Sequence, residues 1–175
     1  MARTRDEDFA AWVAARRGYL YRSAYLLGGD HHRAEDVVQA ALAKLYVAWP
    51  RVVRTSTPDA YARRVVVNAH LDETRRPWRR ERVGLPASHT QVSVPTGVEP
   101  EVRDLLFAAL RDLGPRQRAV VVLRHLWGLS VADTAAELGI SEGTVKSQTS
   151  DGLARLRRAL EAPHHTPHDS LGGQR

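Results

Sequence analysis

The sequence contains no cysteine, which excludes disulfide scaffolds, thiol nucleophiles and cysteine-ligated zinc or iron–sulfur sites. It also has no run of about 18 apolar residues, so we expect no membrane-spanning helix. The opening stretch, MARTRDEDFAAW, mixes basic and acidic residues without an apolar segment, unlike a secretory signal. Hydrophobic residues nevertheless make up 43% of the 175 residues, enough for a packed core and too many for a disordered chain.

Lysine is almost absent. The chain has two lysines, Lys44 and Lys146, and 24 arginines. The net charge is +6 and the isoelectric point is about 10.3. The basic excess falls in two blocks, +5 in residues 51–82 and +3 in residues 116–160, with a slightly acidic stretch between them. Such a distribution attracts polyanions and favours nucleic acid as a partner. An arginine-rich solvated surface is the alternative that charge leaves open.

Motifs of the common enzyme classes are missing. The chain has no P-loop, no G-x-G-x-x-G, no G-x-S-x-G and no H-E-x-x-H. Prolines interrupt the histidines near the C-terminus, so no helix presents those side chains together as metal ligands. We therefore predict a protein that is not an enzyme, with no metal, no cofactor and no small-molecule substrate. The histidines are His164, His165 and His168.

Apolar periodicity predicts helices along most of the chain, and strand signals are weak. Residues 34–49 repeat apolar side chains at the i, i+3, i+4, i+7 spacing, with Asp30 as N-cap and Pro50 as the end. An earlier helix spans residues 9–27. A further helix begins at Pro58, where Thr57 can cap it, and is expected to run to about residue 76.

Residues 81–99 lose this periodicity and are rich in Gly, Pro, Ser and Thr, which predicts a flexible linker. Helical periodicity returns at residues 100–113 and 116–127, and Gly128 is the expected stop of the second of these helices. We predict an all-α fold of two small helical domains joined by the linker and followed by a disordered tail. These segments are residues 9–80, 81–99, 100–161 and 162–175.

The C-terminal part of the chain contains the most specific pattern. Ser130 can cap a short helix that Gly139 ends, and Ser141 can cap the helix that follows. Ala135, Gly139 and Val145 have the spacing of a helix-turn-helix, which a plain helical hairpin does not explain. Early positions of the second helix have side chains suited to base edges and phosphates. These are Glu142, Thr144, Lys146, Ser147 and Gln148.

Three stretches of the chain resemble regions of one protein family. HRAEDVVQAALAKLYVAW is similar to region 2.2 of bacterial RNA polymerase sigma factors, and PDAYARRVVVNAHLDETRR to regions 2.3 and 2.4. LGPRQRAVVVLRHLWGLSVADTAAELGISEGTVKSQTSDGLARLR is similar to region 4. Their order and spacing resemble the sigma-70 superfamily, of the short extracytoplasmic-function (ECF) type. The string RRVVVNAHLDE resembles an actinobacterial SigE-like subgroup.

The resemblance implies roles for both domains. Residues 9–80 would bind core polymerase and recognise and melt the promoter −10 element, and residues 100–161 would recognise the −35 element. The implied polymerase-binding residues are Glu35, Asp36, Val38, Gln39 and Leu42. The implied −10 residues are Arg51, Arg54, Arg63, Arg64, Asn68, Arg75 and Arg76, and the −35 residues are Ser141, Glu142, Thr144, Lys146, Ser147, Gln148 and Arg155.

The sequence departs from the family pattern within the second helix of the helix-turn-helix. The family often has Ser-Arg-Ala or Ser-Arg-Gly where this chain has Ser150, Asp151 and Gly152. An acid at position 151 repels phosphate. A glycine inside a helix costs about 0.5–1 kcal/mol relative to alanine.

The implied partners are core RNA polymerase, through its β′ clamp helices and β flap, promoter DNA and an anti-sigma factor. The implied location is cytoplasmic, without membrane insertion. The main alternative is a dimeric helix-turn-helix repressor with an N-terminal sensor domain. Residues 31–80 favour the sigma factor, because they show a docking pattern and an arginine-rich helix instead of a ligand pocket. A scaffold or anti-sigma protein would not need two DNA-facing blocks.

Overall fold

A computed structural model describes residues 4–74 and 100–161 of the chain. These residues form helices joined by short turns, without any strand, which confirms the all-α prediction. The predicted linker and tail, together with Arg75 and Arg76, lie outside the described residues. The helices are α1 (Arg5–Gly28), α2 (His31–Thr55), α3 (Pro58–Thr74), α4 (Pro100–Arg111), α5 (Pro115–Val121), a π-helical segment (Val122–Leu126), α6 (Val131–Leu138) and α7 (Glu142–Glu161).

The capping signals read from the sequence operate as predicted at the starts of α2 and α3. The carboxylate of Asp30 accepts the backbone N–H of Arg33 at 2.8 Å. The hydroxyl of Thr57 accepts the backbone N–H of Ala60 at 3.3 Å, and Pro58 is the first residue of α3. Each cap satisfies one of the N–H groups that the first helical turn leaves without a partner. The valines at 65–67 are β-branched, a residue type that favours strands, but they lie within α3.

The sequence predicted that the second helix ends at Pro50. In the structure α2 continues to Thr55. A proline inside a helix has no N–H for the carbonyl four residues earlier, which here belongs to Tyr46. The guanidinium of Arg5 donates to that Tyr46 carbonyl instead. Val52, in the turn after the proline, is buried in the core. A long-range hydrogen bond and the burial of Val52 thus stabilise the helix on both sides of Pro50, a residue type that usually ends a helix.

Helices α1 to α3 form a first helical unit around a common core. The side chains that fill it recur at helical spacing on the inward face of each helix, and they are almost completely buried. Phe9 packs edge-on against Tyr46 and Trp49, at centroid distances of 5.0 and 5.2 Å, and closes one end of this core. The central members are Leu20, Leu27, Val38, Leu45 and Val66.

Helices α4 to α7 form a second helical unit, which contains the helix-turn-helix. Ser130 caps α6 by accepting the N–H of Asp133 at 3.0 Å, and Ser141 caps α7 by accepting the N–H of Thr144 at 3.1 Å. Gly139 turns the chain between them with φ of 62°, a left-handed conformation that glycine adopts without strain. Val145 is completely buried against α5 and α6. The predicted helix-turn-helix is confirmed in each of these features.

Gly152 allows α7 to approach α5 closely. A Cβ atom added at this position would lie 2.8 Å from Cγ2 of Val121, which is itself buried. Glycine lowers the helix propensity of α7 at this position, but it allows α7 and α5 to pack more closely.

We expect Gly152→Ala to lower the free energy of unfolding by about 1–2 kcal/mol, although alanine favours helix, because overpacking outweighs the propensity gain. Chemical denaturation measures the change. Gly18→Ala is the matched control, since Gly18 lies inside α1 with open space around it. That variant should gain about 0.5–1 kcal/mol. Equal gains at the two sites would contradict the close-approach explanation.

The two helical units share one hydrophobic core. Ala119, Val122 and Leu123 of the second unit are buried within the same cluster as the core of α1 to α3. The phenol of Tyr19 donates to the carbonyl of Leu126, and the Tyr19 ring meets Trp127 edge-on at 4.6 Å. The π-helical segment places these residues at the interface before the chain turns. The two units are therefore in direct contact through apolar and polar groups alike.

Candidate nucleic-acid interface

The outer face of α7 presents most of the side chains predicted to read the −35 element. Lys146, Ser147, Glu142 and Arg155 are exposed. Ser147 donates its hydroxyl to the Thr144 carbonyl at 3.1 Å, which holds that side chain against the helix. The long side chains of Lys146, Glu142 and Arg155 remain as the groups that extend into solvent. This is the face that a recognition helix turns toward the major groove.

Ser141 and Thr144 have a structural role in this arrangement. The Ser141 hydroxyl caps α7, and the two hydroxyl oxygens lie 2.8 Å apart. Both hydroxyls are thus engaged at the start of α7, where Ser141 satisfies an N–H group of the first turn.

Gln148 does not lie with the exposed set. Its residue is half-buried, and its side-chain oxygen is buried without a hydrogen-bond partner. The backbone carbonyl of Gln148 accepts a hydrogen bond from the Nε2–H of Gln117 at 3.4 Å, which connects this turn of α7 to α5. In this conformation the carboxamide does not reach the outer face, so the base contact predicted for Gln148 requires a different side-chain rotamer.

Sequence reasoning missed two cations on the same helix. Arg157 and Arg158 are exposed beside Arg155, and they extend the basic surface of α7 toward its C-terminal end. The signal was available in the sequence, because these positions avoid the apolar spacing that Val145, Gly152 and Leu156 define.

A groove lies between α2 and α3 on the surface of the first helical unit. Its volume is about 700 Å³, and we call it the α2–α3 groove. Lys44 and Arg51 supply positive charge, and Tyr61 supplies an aromatic ring. Val47 adds an apolar wall and is 79% exposed. Cations beside an aromatic and apolar surface are what single-stranded nucleic acid binding requires. The groove is lined by Ala43, Lys44, Val47, Ala48, Arg51 and Tyr61.

The predicted −10 residues divide into different environments. Arg51 and Arg54 belong to the last turns of α2 and not to a loop, because the helix extends past Pro50. Arg54 is exposed, and its Nε–H donates to the Pro50 carbonyl at 2.8 Å. On α3, Arg64 and Asn68 are exposed at i, i+4 spacing and share one face.

Arg63 differs from the other predicted −10 residues because it faces the second helical unit. Its guanidinium is paired with Glu137 of α6 at 3.1 Å, and only 14% of the Arg63 side chain is exposed. The neighbouring Arg64 lies 4.0 Å from the same carboxylate, but its side chain is 65% exposed.

The predicted polymerase-binding residues are corrected at two positions. Val38 and Leu42 are 0% and 8% exposed and belong to the core, so neither is available to a partner. They follow the apolar spacing of α2, which already indicated the core, and only the family resemblance assigned them to polymerase binding. Asp36 and Gln39 are exposed. Glu35 is half-buried and accepts from both Arg17 and Gln39.

An exposed strip continues along α2 from Asp36 to the α2–α3 groove. Gln39, Ala40 and Ala43 are exposed at the positions between, at the spacing of one helical face. We call Asp36, Gln39, Ala40 and Ala43 the docking strip. The side chains of Ala40 and Ala43 are small and apolar, so this face of α2 has no bulky group at its centre.

Two buried titratable groups lie where the helical units meet. Burial lowers the pKa of His70 to about 4, and its Nε2–H donates to the Pro115 carbonyl at 3.2 Å. Burial also lowers the pKa of Arg118, which nevertheless donates to three backbone carbonyls. Both groups support the contact between the units and neither faces the outer surface of α7 or the groove.

Metal-holding clusters and membrane-spanning helices are absent from the part of the chain that the structure describes. Residues 4–74 and 100–161 contain no group of three or more His, Cys, Asp or Glu side chains positioned to hold a metal ion. None of the helices in these ranges is long and apolar enough to cross a bilayer.

The fold is all-helical and contains a helix-turn-helix with exposed cations on α7. The α2–α3 groove, with Lys44 and Arg51, is a second basic surface. Together these features are typical of a DNA-binding protein. Family models agree: Sigma-70 region 2 matches residues 5–80, and Sigma-70, region 4 matches residues 103–156. The chain belongs to the sigma-70 family of RNA polymerase sigma factors, as its sequence resemblance implies. A sigma factor directs core polymerase to promoters, so the repressor alternative is not favoured.

Similar proteins place the chain among the ECF sigma factors. It is 41% identical to the RNA polymerase sigma-E factor of Streptomyces avermitilis, covering 89% of this chain and 86% of that protein. It is 34% identical to the ECF RNA polymerase sigma factor SigE of Mycolicibacterium smegmatis, covering 81% and 57%. The sigma factor RpoE of Bartonella quintana, solved with the anti-sigma factor NepR, has a TM-score of 0.72 at 25% identity, covering 90% and 99%.

Proposed function

We propose that the chain divides promoter recognition between its two helical units. Residues 9–80 bind core polymerase through the docking strip and capture the −10 strand in the α2–α3 groove, while residues 100–161 read the −35 element with α7. The observation that carries this proposal is the groove itself, in which Lys44, Arg51 and Tyr61 converge on the side of α2 that continues the docking strip.

The groove has the chemistry that single-strand capture requires. Exposed Lys44 and Arg51 bind phosphates, and the half-buried Tyr61 ring offers a face on which a base stacks. Arg64 and Asn68 lie one and two turns further along α3 and extend the polar path. The interaction depends on the strand being unpaired, because a base inside a duplex has no free face to stack on a protein side chain.

On α7 the exposed cations position the helix on the duplex. Lys146 makes no ion pair within the described residues and is free to contact phosphate. Glu142 and Ser147 lie in the first two turns of α7. In a helix-turn-helix complex, these turns of the second helix enter the major groove. Arg155, Arg157 and Arg158 follow the backbone outside the groove.

The partners follow from this division of roles. They are core polymerase and promoter DNA, and we propose that an anti-sigma factor also binds, because the similar solved sigma factor was crystallised with one. The protein acts in the cytoplasm, where polymerase works, and performs no chemical step itself.

The polymerase contact is tested by reversing the charge of Asp36. Asp36→Arg should weaken binding to core polymerase by roughly tenfold or more, because it reverses the charge of an exposed side chain on the docking strip. Binding is measured by titrating labelled core polymerase. Ala14→Arg introduces an arginine at an exposed position of α1, away from α2, and should leave the affinity unchanged. Equal behaviour of the two folded variants would remove Asp36 from the interface.

The −35 contacts are tested by comparing Lys146→Ala with Gln148→Ala. Loss of Lys146 should weaken binding across all sequences and lower the slope of log affinity against log salt by about 1. Gln148→Ala should leave base preference at the −35 element intact, because the side-chain oxygen is buried. Affinity titrations at several salt concentrations measure the slope, and selection from a randomised −35 library measures the base preference. Relaxed preference in Gln148→Ala would show that this side chain turns outward on DNA.

A further inference from the structure

One cation of the proposed −10 path is already occupied by a carboxylate from the other helical unit. Nε–H and Nη2–H of Arg63 donate to the two carboxylate oxygens of Glu137 at 3.3 and 3.1 Å. The guanidinium also lies 5.3 Å from the ring centroid of Trp127. The exposed fractions are 14% for the Arg63 side chain and 5% for Glu137, so water scarcely screens this pair.

The same carboxylate also faces the neighbouring cation. Nη2 of Arg64 lies 4.0 Å from Oε2 of Glu137. A guanidinium that donates two of its N–H groups to a carboxylate has fewer left for a phosphate oxygen, and the carboxylate already neutralises its charge. Glu137 thus stands where a backbone phosphate would otherwise bind Arg63.

The ion pair lies within a wider contact between the helical units. Tyr19 donates to the Leu126 carbonyl, and His70 donates to the Pro115 carbonyl. Val122 and Leu123 are buried in the shared core. Separating α3 from α6 therefore requires breaking polar and apolar contacts together, which makes the closed arrangement a discrete state and not a loose association.

We propose that Glu137 is an autoinhibitory latch, which holds Arg63 away from promoter DNA until the two helical units separate. This inference rests on the proposed −10 role of α3. In the closed state the carboxylate neutralises Arg63, and in the open state Arg63 turns to the captured strand. Apparent affinity for that strand is reduced by the fraction of molecules that remain closed.

The sign of a single substitution distinguishes a latch from an ion pair that only stabilises the fold. If the pair were merely structural, its removal would leave DNA affinity unchanged or weaken it. If it is a latch, its removal frees a cation and raises affinity. Glu137→Gln retains the size and shape of the side chain while removing its charge.

The absence of cysteine from the chain gives a direct measurement of closure. Spin labels at Ala14→Cys on α1 and Ala154→Cys on α7, both exposed positions, report the distance between the helical units. Pulsed dipolar spectroscopy should show a narrow distance distribution in the labelled parent protein. Glu137→Gln should add a longer and broader population. Glu161→Gln, an exposed acid at the end of α7, should leave the distribution unchanged.

The DNA measurement uses labelled single strands of random sequence, since phosphate contacts do not depend on base identity. Glu137→Gln should bind these strands roughly tenfold more tightly than wild type, the effect expected from losing a charge-assisted pair. Glu161→Gln should bind like wild type. Combining Arg63→Glu with Glu137→Arg should restore the short distance population, because the pair is rebuilt in reverse.

Unchanged distances and unchanged or weaker strand binding in Glu137→Gln would overturn the latch. Failure of the reversed pair to restore closure would overturn it as well. Arg64→Ala tests the proposed function separately, because loss of that exposed cation should weaken strand binding whether or not the latch exists. If Arg64→Ala binds like wild type, the −10 role of α3 is wrong.

Discussion

Arg118→Ala should lower the free energy of unfolding by at least about 3 kcal/mol, with a fall in Tm of roughly 6–12 °C. The guanidinium is buried and donates to the carbonyls of Leu27 at 2.5 Å, Arg111 at 2.8 Å and Leu113 at 3.2 Å. The first two lie at the C-terminal ends of α1 and α4, where carbonyls have no partner within the helix and bear partial negative charge.

Thermal and chemical denaturation test this result with two companion variants. Arg116→Ala, on the exposed side of α5, should change stability by less than about 0.5 kcal/mol. Arg118→Met keeps most of the buried volume but leaves the carbonyls without donors, so it should cost nearly as much as alanine. A mild effect of Arg118→Met would show that packing, and not hydrogen bonding, accounts for the role of this residue.

The second large effect is a loss of stability in acid that depends on His70. The pKa of His70 is about 4 in the folded chain against 6.5 for an exposed histidine. Burial is the main cause, and Arg118 and Arg33 lower the pKa further. The unfolded chain therefore takes up a proton before the folded chain does. The stabilisation is complete above pH 6.5 and is lost as pH falls to about 4, by about 3 kcal/mol in all.

The contribution of His70 is isolated by comparing wild type with His70→Gln. Carboxylates also titrate in this range, and they do so equally in both proteins. The difference in free energy of unfolding between wild type and His70→Gln should therefore be steepest between pH 6.5 and 4 and flat above. Parallel pH profiles for the two proteins would contradict a buried neutral histidine at this contact.

Local signals in the sequence predicted much of the fold correctly, because caps and turns depend on neighbouring residues. Asp30, Thr57, Ser130 and Ser141 all cap helices in the positions expected, and Gly139 makes the turn of the helix-turn-helix. These features need only a side chain and the first N–H groups of its own helix.

Sequence reasoning was least informative where a distant residue decides the outcome. Pro50 does not end α2, because Arg5, far away in sequence, supplies the missing donor. Arg63 and Arg64 are adjacent in sequence, but Glu137 captures one and leaves the other largely exposed. Val38 was predicted at the polymerase interface from the family pattern, although its periodicity already indicated the core. The contact between the two helical units joins residues far apart in sequence, so no local sequence pattern predicts it.

Run-off transcription with core RNA polymerase on a library of randomised promoters tests the central claim most directly. The chain should produce transcripts from defined start sites, and the active promoters should share both an upstream and a −10 element. Arg64→Ala should lower transcription through the −10 element, and Lys146→Ala should do so through the upstream element. A folded protein that binds the library DNA yet yields no transcript above core polymerase alone would contradict the account and favour a repressor.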